Sequence, residues 1–304
     1  MYDLIIIGGG PAGITAGIYA ARKKLNTFLI TKEFGGQASK AHEIGNWPGI
    51  FLTTGIDLIK NFVEHLKKFD IGIKEGKNVR NIEKKDKLFE VILEDGEKLE
   101  TKAIIIASGK NPRPLKAIGE EKFLGKGVAY CSICDAPFFK DKDVAVIGGG
   151  NAGLESALAL TAYATKVYVI EFSDRLLGDE ITQDKLKKTG KVEFILNSIT
   201  KEIKGDKFVE SLVYEDRKAG KTKELKIQGV FVEIGYVPSS GFIKDLVEFN
   251  QAGEIVVDPK DNSTKTPGIF AAGDVTDILY KQIVIACAEG AKTALTAYNY
   301  LNKN

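Results

Sequence analysis

The hydrophobic pattern of the first thirty residues predicts a β–α–β unit. Residues 3–7 form an almost continuous apolar run, as expected of a strand buried on both faces of a parallel sheet. A helix-prone run follows over residues 14–24, and a second strand is predicted at 27–30. The turn between the first strand and the helix, residues 8–13, is Gly-Gly-Gly-Pro-Ala-Gly and contains a GxGxxG motif. A GxGxxG in this position is typical of a dinucleotide-binding domain.

Each glycine of this motif has a separate physical role. Gly8 permits the tight turn, Gly10 lets the backbone approach a pyrophosphate, and Gly13 lets the helix pack closely on the strand. The N-terminus of the helix then presents unpaired N–H groups to the phosphates.

The same unit recurs later in the chain. Residues 143–170 match residues 3–30 without a gap, at an offset of 140 (143 − 3 = 140). We therefore predict two dinucleotide-binding domains and an electron path from one dinucleotide to the other. The identical pairs in the two turns are Gly8/Gly148, Gly9/Gly149, Gly10/Gly150, Ala12/Ala152 and Gly13/Gly153.

The predicted fold class is α/β, with two Rossmann-like (three-layer ββα) dinucleotide-binding domains, the second inserted in the first. Proline and glycine clusters near 111–114 and 236–241 mark the two linkers. The first domain is predicted to comprise residues 1–111 and 242–304, and the second residues 112–241. The other predicted elements are a helix at 56–69, strands at 79–83, 88–94, 97–101, 103–107, 192–196, 208–214 and 225–234, a strand and turn at 269–274, and a helix at 282–301.

Composition excludes several classes of function. The formal net charge is only +2, from 43 basic and 41 acidic residues that are spread evenly, so no electrostatic surface for nucleic acid is indicated. The apolar runs are too short to span a bilayer. Because Met1 leads almost directly into a strand, we expect no targeting segment and a cytoplasmic location.

The segment Cys131-Ser132-Ile133-Cys134-Asp135 carries the candidate chemistry. Two cysteines separated by two residues can close a small disulfide ring, and this spacing tends to lower the pKa of one thiol. The carboxyl of Asp135 could hold or deliver the proton that thiol–disulfide exchange moves.

Two other interpretations of the cysteine pair are weaker. A zinc site would need two more ligands, but Cys287, His42 and His65 do not stand at zinc spacing. We therefore expect no metal. A purely structural disulfide fits poorly in a chain without a secretory signal. Cys287 lies in an apolar helical run and is predicted to be a small buried hydrophobe.

Taken together, these motifs resemble the low-molecular-weight thioredoxin reductases over the whole chain. The chain looks closest to the reductase part of the alkyl hydroperoxide reductase flavoprotein subunit. The resemblance rests on both glycine turns and on FGGQ at 34–37, NWPG at 46–49, CSICD at 131–135 and FAAGDVTD at 270–277, followed by YKQI and EGAK.

The resemblance implies FAD on the first domain and a nicotinamide dinucleotide on the second. By this resemblance Cys134 would face the flavin, Cys131 would attack the disulfide of a partner, and Asp135 would be the acid/base. A carboxylate at Asp274, after a strand-ending glycine, can also accept hydrogen bonds from cofactor hydroxyls. The residues expected to bind FAD are Gly8, Gly10, Pro11, Ala12, Gly13, Gly36, Gln37, Asn46, Gly109, Gly273, Asp274, Gln282 and Ile283.

The chain departs from the family at the nicotinamide site. Reductases that use NADPH usually carry a basic cluster, HRRxxxR, where this chain has residues 171–177, EFSDRLL. Glu171 lies 18 residues after Gly153 (171 − 153 = 18), where an acid would bind the ribose 2′-hydroxyl and repel a 2′-phosphate. We therefore expect NADH, with NADPH as the alternative. The residues expected to bind it are Gly148, Gly150, Asn151, Ala152, Gly153 and Glu171.

The hydroperoxide reductase subunit has an extra thioredoxin-like region ahead of its FAD domain, which this sequence does not show. We therefore expect electrons to leave to a separate thioredoxin- or glutaredoxin-like protein, and the family implies a homodimer. Three alternatives stay open. Ferredoxin or a deazaflavin could supply the electrons, the chain could be the reductase of a peroxiredoxin system, or it could be a flavin redox sensor without turnover.

Overall fold

The computed structural model describes residues 1–41 and 44–303 and, within this part, all side chains except those of residues 133 and 134. The chain divides into two compact units, residues 1–111 with 237–304 and residues 112–236. Residues 237–241 thus belong to the first unit, where the sequence pattern had placed them in the second. The reason is a set of local hydrogen bonds: the Ser239 N–H donates to the Gly109 carbonyl at 2.9 Å, and the Ser108 hydroxyl donates to the Ser239 carbonyl at 2.6 Å.

The strands among the described residues are β1 (Tyr2–Gly9), β2 (Thr27–Phe34), β3 (Gly72–Glu75), β4 (Val79–Lys85), β5 (Leu88–Leu93), β6 (Lys98–Ile106), β7 (Lys110–Pro112), β8 (Val128–Ala129), β9 (Asp143–Ile147), β10 (Lys166–Ile170), β11 (Val192–Ile195), β12 (Ser198–Lys204), β13 (Ser211–Asp216), β14 (Lys221–Lys226), β15 (Gly229–Val232), β16 (Tyr236–Pro238) and β17 (Ile269–Ala271). The α-helices are α1 (Pro11–Arg22), α2 (Gly55–Leu66), α3 (Glu120–Phe123), α4 (Ser132–Asp135), α5 (Asn151–Leu160), α6 (Glu180–Lys188) and α7 (Ile283–Leu301).

The first unit is built on a seven-stranded sheet in the order β3-β2-β1-β6-β5-β4, with β17 also paired to β6. The pairs β1–β2, β1–β6, β2–β3 and β6–β17 are parallel, and β4–β5 and β5–β6 are antiparallel. Alternate residues of β1 enter two cores. Leu4 and Ile6 pack with α1, α2 and α7, while Ile5 and Ile7 pack on the opposite face with β4, β5 and residues 243–275.

Strand β6 is longer than the pattern predicted. The sequence suggested two strands, 97–101 and 103–107, and the structure has one continuous strand from Lys98 to Ile106. Its first half alternates between exposed and covered positions and pairs antiparallel with β5, whereas its second half is buried between β1 and β17. The change of hydrophobic pattern therefore marks a change of neighbours within one strand, not a break.

The second unit has the three predicted layers. Its central sheet is parallel, in the order β11-β10-β9-β15-β8, and a separate antiparallel sheet is formed by β12, β13 and β14. Val144 and Val146 on β9 pack against α5 and α6, while Ala145 and Ile147 pack on the other face with β12 and β13. The central sheet is thus covered by helices on one side and by the small sheet on the other.

The region predicted as one strand, 225–234, is two strands, β14 and β15, that belong to different sheets. The chain changes sheet at residues 227–228. There the Gln228 side chain accepts a hydrogen bond from the Asp143 N–H at 2.9 Å, at the start of β9. Strand β12 was not predicted, because its polar and apolar residues do not alternate regularly.

Close approach of helix to strand in both β–α–β units depends on glycine. A Cβ at Gly13 would lie 1.9 Å from the Gly8 carbonyl oxygen, and a Cβ at Gly153 would lie 1.9 Å from the Gly148 carbonyl oxygen. Real Cβ atoms do not approach oxygen so closely, so these positions admit glycine only. No helix among the described residues is long and apolar enough to cross a bilayer.

We expect Gly153→Ala to destabilise the second unit by about 1–3 kcal/mol, because the added methyl group would push α5 away from the turn. The matched control is Gly150→Ala. Gly150 has φ −81° and ψ −177°, which any residue adopts, and no described atom lies within 4 Å of a Cβ built there. Amide hydrogen exchange of peptides from residues 143–170, measured without nucleotide, should rise in the first variant and stay near the wild-type rate in the second. Equal exchange in the two variants would contradict the packing argument.

Candidate functional site

A cavity of 860 Å³ opens in the first unit at the carboxyl ends of the parallel strands, and all residues that line it belong to that unit. Its size lies within the range of about 300–1,000 Å³ that is usual for ligand sites. Most of the residues that the sequence assigned to FAD line this cavity: Gly8, Gly10, Pro11, Ala12, Gly36, Gln37, Gly109, Gly273, Asp274, Gln282 and Ile283.

The glycine turn forms one wall of the cavity with the geometry that a phosphate requires. Gly8 has φ +120°, a conformation that favours glycine, and a Cβ there would lie 2.1 Å from the Ala107 carbonyl oxygen. At Gly10, by contrast, no atom of the described residues lies within 4 Å of a Cβ, so the space beside this backbone is open. Helix α1 starts at Pro11, and no described side chain caps its N-terminus, which leaves its first N–H groups for a ligand.

Two of the predicted residues do not line the cavity. Gly13 is buried below the turn, where it serves the packing described above. Asn46 contacts a residue of the cavity wall. Its side-chain amide donates a hydrogen bond to the Gln282 side-chain oxygen at 3.0 Å, and Gln282 lines the cavity. Asn46 therefore orients a lining residue.

Glu33 also lines the cavity and was missed in the sequence. It lies near the end of β2, twenty residues after Gly13 (33 − 13 = 20). An acid at this distance from the third glycine is the usual ligand of the adenosine ribose. The rule that selected Glu171 in the second domain would have found Glu33 in the first.

At the polar end of the cavity two lysines, Lys110 and Lys281, line the wall together with Asp274, and Glu254 pairs with both lysines. Burial raises the pKa of Asp274, and Lys281 and Lys110 oppose this by lowering it. Both ammonium groups also contact Glu254, at 2.5 Å from Lys110 and 3.5 Å from Lys281. Asp274 therefore lies beside two ammonium groups. Together these side chains could form hydrogen bonds with a ligand that is rich in hydroxyls and ring nitrogens.

Glu289 lies under this end of the cavity, almost fully buried. One of its oxygens, Oε2, accepts a hydrogen bond from the Gly273 N–H at 2.6 Å, and the other, Oε1, is buried without a partner among the described residues. Burial raises the pKa of this carboxyl, while the Gly273 hydrogen bond and the nearby Lys292 and Lys281 lower it. The net shift favours the protonated form of this carboxyl.

The turn of the second unit repeats the first in detail. Gly148 has φ +116°, and a Cβ there would lie 2.4 Å from the Glu233 carbonyl oxygen. Gly150 precedes α5, faces open space and is followed by a helix start that no described side chain caps. Asn151 and Ala152 are exposed in the first turn of α5, and the Asn151 side-chain oxygen accepts a hydrogen bond from the Asp179 N–H at 2.8 Å.

Glu171 directly follows β10 beside this turn, with only 7% of its surface exposed. Both carboxylate oxygens already bind backbone: Oε2 accepts from the Gly149 N–H at 2.6 Å, and Oε1 accepts from the Ser173 N–H at 2.8 Å. The side chain therefore holds the turn in shape. Any hydrogen bond to a ribose would use the remaining lone pairs of these oxygens.

A cation contacts Phe172, the residue after Glu171, and the sequence pattern did not predict it. The guanidinium of Arg217 stacks on the ring of Phe172 at 3.7 Å from its centroid, and it donates to the Phe172 carbonyl at 3.1 Å. Arg217 follows β13 and is 45 residues away from Phe172 in sequence. Only the folding of the small antiparallel sheet brings this positive charge to the end of β10.

Residues 131–135, which we call the redox segment, include the short helical turn α4. Cys131 is disulfide-bonded and half-buried, and its carbonyl accepts a hydrogen bond from the Asp135 N–H at 3.2 Å. Burial raises the pKa of the Asp135 carboxyl, which favours a carboxyl that can hold a proton next to the disulfide. The side chain of Cys134, with its assigned role, lies outside the described residues, as does His42.

The remaining candidates are a zinc site and the thiol of Cys287. A disulfide-bonded Cys131 is not a thiolate ligand for zinc. No group of three or more possible metal ligands occurs within residues 1–41 and 44–303. Cys287 has a free thiol that is half-buried, with its sulfur 3.8 Å from the Pro11 carbonyl oxygen, and burial raises its pKa.

The chain belongs to the pyridine nucleotide-disulphide oxidoreductase family, whose sequence model matches residues 2–290. Its fold is that of the thioredoxin reductases. The structure matches thioredoxin reductase from Lactococcus lactis with a TM-score of 0.85 and 38% sequence identity, over 100% of both chains. The predicted fold class, family and oxidoreductase class are thereby confirmed.

Two curated relatives are also similar over 100% of this chain. The chain is 44% identical over 303 residues to NADH dehydrogenase of Bacillus subtilis (strain 168), of which the match covers 59%. It is 43% identical over 303 residues to an alkyl hydroperoxide reductase subunit of Staphylococcus aureus (strain MRSA252), of which the match covers 60%. The chain thus spans about three fifths of the length of these two relatives.

We expect Glu289→Gln to change how stability depends on pH. A carboxyl whose pKa is raised on folding stabilises the protein fully below its unfolded pKa of about 4.3, and this contribution is lost as the pH rises through the folded pKa. The glutamine side chain would keep an acceptor for the Gly273 N–H but would not titrate. The melting temperature of the glutamine variant should therefore rise relative to wild type as the pH increases above about 4.3.

The control for this measurement is Glu289→Ala, which removes the acceptor altogether. It should be less stable than the glutamine variant at every pH, by about 1–3 kcal/mol, because the Gly273 N–H would be left unpaired. A constant difference between wild type and Glu289→Gln across the pH range would show that Glu289 does not titrate in this window.

Proposed function

We propose that this chain is an FAD-dependent thioredoxin-disulfide reductase that passes electrons from NADH, with NADPH as the alternative donor, to a thioredoxin- or glutaredoxin-like protein. The observation that carries the proposal is the redox segment: Cys131 is disulfide-bonded and lies one helical turn from Asp135, whose pKa is raised by burial. This segment belongs to the same unit as the second glycine turn.

The cavity of the first unit supports the assignment of FAD. Gly10 leaves the backbone open to a pyrophosphate, the N-terminus of α1 supplies N–H donors, and Glu33 stands where the adenosine ribose is bound in dinucleotide folds. Asp274 would accept hydrogen bonds from hydroxyls of the chain between the phosphates and the ring, and Gln282 and Ile283 would border the ring. When bound, the flavin supplies a two-electron carrier between a nicotinamide and a disulfide.

The cysteines complete the transfer by thiol–disulfide exchange. In the dithiol form, the Cys131 thiolate attacks one sulfur of the partner's disulfide and forms a mixed disulfide, releasing the other partner sulfur as a thiolate. Cys134 then attacks the Cys131 sulfur, which restores the disulfide of this chain and releases the second partner sulfur. Two electrons and two protons pass to the partner in total. Asp135 is placed to exchange protons with the cysteines during these steps.

The surroundings of Glu171 support NADH. The carboxylate is held at the end of β10 by two backbone N–H groups and therefore cannot turn away from a bound nucleotide. A 2′-phosphate at this place would meet a fixed negative charge, whereas a 2′-hydroxyl could donate a hydrogen bond to it. The positive charge of Arg217 on the neighbouring Phe172 would offset part of this repulsion and supports NADPH as the alternative.

Following the resemblance to thioredoxin reductases, we also propose a homodimer in the cytoplasm. Supply of electrons by ferredoxin or a deazaflavin, service to a peroxiredoxin, and a sensor without turnover are the competing functions. The donor titration below tests the ferredoxin and deazaflavin alternative, and turnover assays with thioredoxin, glutaredoxin and peroxiredoxin separate the other two.

The first experiment tests the order of electron transfer with Cys134→Ser. We expect this variant to bind FAD and to bleach when titrated anaerobically with NADH, because the residues that line the cavity belong to the first unit and the cysteine pair to the second. Its disulfide reductase activity with thioredoxin should fall to background, and Cys131 should trap thioredoxin as a mixed disulfide. Cys131→Ser is the matched control, with no activity and no trapped complex.

Trapping through Cys134 instead of Cys131 would reverse the two roles. If neither NADH nor NADPH bleaches the wild-type flavin while reduced ferredoxin or a deazaflavin does, the nicotinamide assignment is wrong. Flavin reduction by NADH without turnover on any thioredoxin, glutaredoxin or peroxiredoxin would support the sensor.

The second experiment measures the choice of nucleotide. We expect kcat/KM to be at least tenfold higher with NADH than with NADPH, a difference of about 1.4 kcal/mol in the transition state. Glu171→Gln removes the charge and keeps one of the two acceptors for backbone N–H groups, so it should raise the ratio of kcat/KM for NADPH to kcat/KM for NADH. The double variant Phe172→Arg with Ser173→Arg adds phosphate ligands and should shift the preference further toward NADPH. Equal kcat/KM values for both nucleotides in the wild type would mean that Glu171 does not discriminate.

A further inference from the structure

A series of three hydrogen-bonded side chains leads from the redox segment to the second glycine turn. The Ser132 hydroxyl, between the two cysteines of the motif, donates to the Ser156 hydroxyl oxygen at 2.7 Å. The Ser156 hydroxyl in turn donates to Glu233 Oε1 at 2.6 Å. Both distances lie within the usual range for O–H···O hydrogen bonds, so each link is well formed. We call these residues the Ser132–Ser156–Glu233 series.

The series is enclosed by the second unit. Ser132 is 4% exposed and Ser156 is 6% exposed, so water is a poor alternative partner for either hydroxyl. A buried hydroxyl without a hydrogen bond is costly, and here each serine is satisfied through the next member of the series. The position of Ser132 is therefore coupled to that of Ser156, which lies on α5.

The far end of the series is itself held in place. The Glu233 N–H donates to the Ile147 carbonyl at 2.8 Å, and the Glu233 carbonyl lies where a side chain on Gly148 would otherwise fit. Burial raises the pKa of the Glu233 carboxyl, the Ser156 hydrogen bond lowers it, and the nearby Glu155 raises it. The carboxyl accepts from Ser156 through Oε1 whether or not the other oxygen carries a proton.

We propose that the Ser132–Ser156–Glu233 series is a positioning device that holds the redox segment in the conformation of its closed disulfide and makes the Cys131 disulfide harder to reduce. The inference rests on the proposed function only in assigning Cys131 to the redox site. The three residues act through the segment and touch no reacting atom that the structure describes.

The direction of the effect follows from chain entropy. The series is seen in the form in which Cys131 is disulfide-bonded, so it restrains the segment in the closed state. A restrained segment keeps two thiols close together, and this raises the effective concentration with which they re-form the disulfide. Loss of the restraint should shift the equilibrium toward the dithiol.

The test is the equilibrium of the full FAD-bound chain with glutathione, in which one protein disulfide and two glutathione thiols give one protein dithiol and one oxidised glutathione. The samples are quenched with acid, unfolded and alkylated, and the alkyl groups are counted by mass. The chain has three cysteines, so the fully reduced form takes three alkyl groups and a form with one disulfide takes one. Circular dichroism and flavin content show that each variant is folded.

We expect Ser132→Ala and Ser156→Ala each to raise the equilibrium constant for reduction by roughly three- to tenfold, the factor that corresponds to one buried hydrogen bond. The double variant should shift no more than the larger single one, since either change breaks the same series. Ser198→Ala is the matched control. Ser198 is a buried serine of the same unit, 3% exposed, whose hydroxyl donates to the Leu196 carbonyl away from the redox segment.

A second pair of variants lies outside the redox segment and serves if Ser132→Ala does not fold. Glu233→Gln keeps an acceptor for Ser156 and should stay within about twofold of wild type, whereas Glu233→Ala should shift the equilibrium like the serine variants. The same shift in Ser198→Ala as in Ser132→Ala, no shift in Ser132→Ala, or equal shifts in Glu233→Gln and Glu233→Ala would each overturn the proposal.

The assay contains no nicotinamide nucleotide and no protein partner. A chain that fails to reduce thioredoxin would still show the shift if the series acts as proposed. Conversely, if the chain reduces thioredoxin but the variants show no shift, the proposed role of the series is wrong and the proposed function of the chain is unaffected.

Discussion

Both units rely on a close contact between a glycine carbonyl and the helix that follows it. In each β–α–β unit the first residue of the GxGxxG motif turns the chain with a positive φ, and the last glycine of the motif packs directly on that turn. The helix can then start at the strand end with its N-terminus aimed outward. The middle glycine, Gly10 in one unit and Gly150 in the other, stays clear of the described protein atoms, so the same contact that tightens the fold also opens the ligand site.

The buried acids next to these turns have structural as well as chemical roles. Glu171 ties the Gly149 N–H to the end of β10, and Glu289 ties the Gly273 N–H to helix α7. In both cases a side-chain carboxyl oxygen replaces the water that a backbone N–H would otherwise need. In the proposed function, the Glu171 carboxylate, which is fixed in this way, would not relax when a nucleotide arrives and would therefore discriminate between a hydroxyl and a phosphate.

The redox segment is a single helical turn, Ser132–Asp135, so its position depends on contacts with neighbouring elements. The hydrogen bond from Ser132 to Ser156 connects this turn to α5, the helix that also follows the second glycine turn. The position of the disulfide and the shape of the nucleotide turn therefore depend on the same helix.

Features whose physics is local could be read from the order of the amino acids. Turn geometry at Gly8 and Gly148, strand burial at residues 3–7 and the spacing of Cys131 from Asp135 all depend on neighbours within a few residues, so they were predictable. Which distant groups meet was set by the packing of the folded chain. Arg217 reaches Phe172 because the small antiparallel sheet folds back, and Ser132 finds Ser156 and Glu233 because α5 and the end of β15 pack beside the redox turn. Such contacts depend on the summed packing of many residues, and no short-range pattern in the chain encodes them.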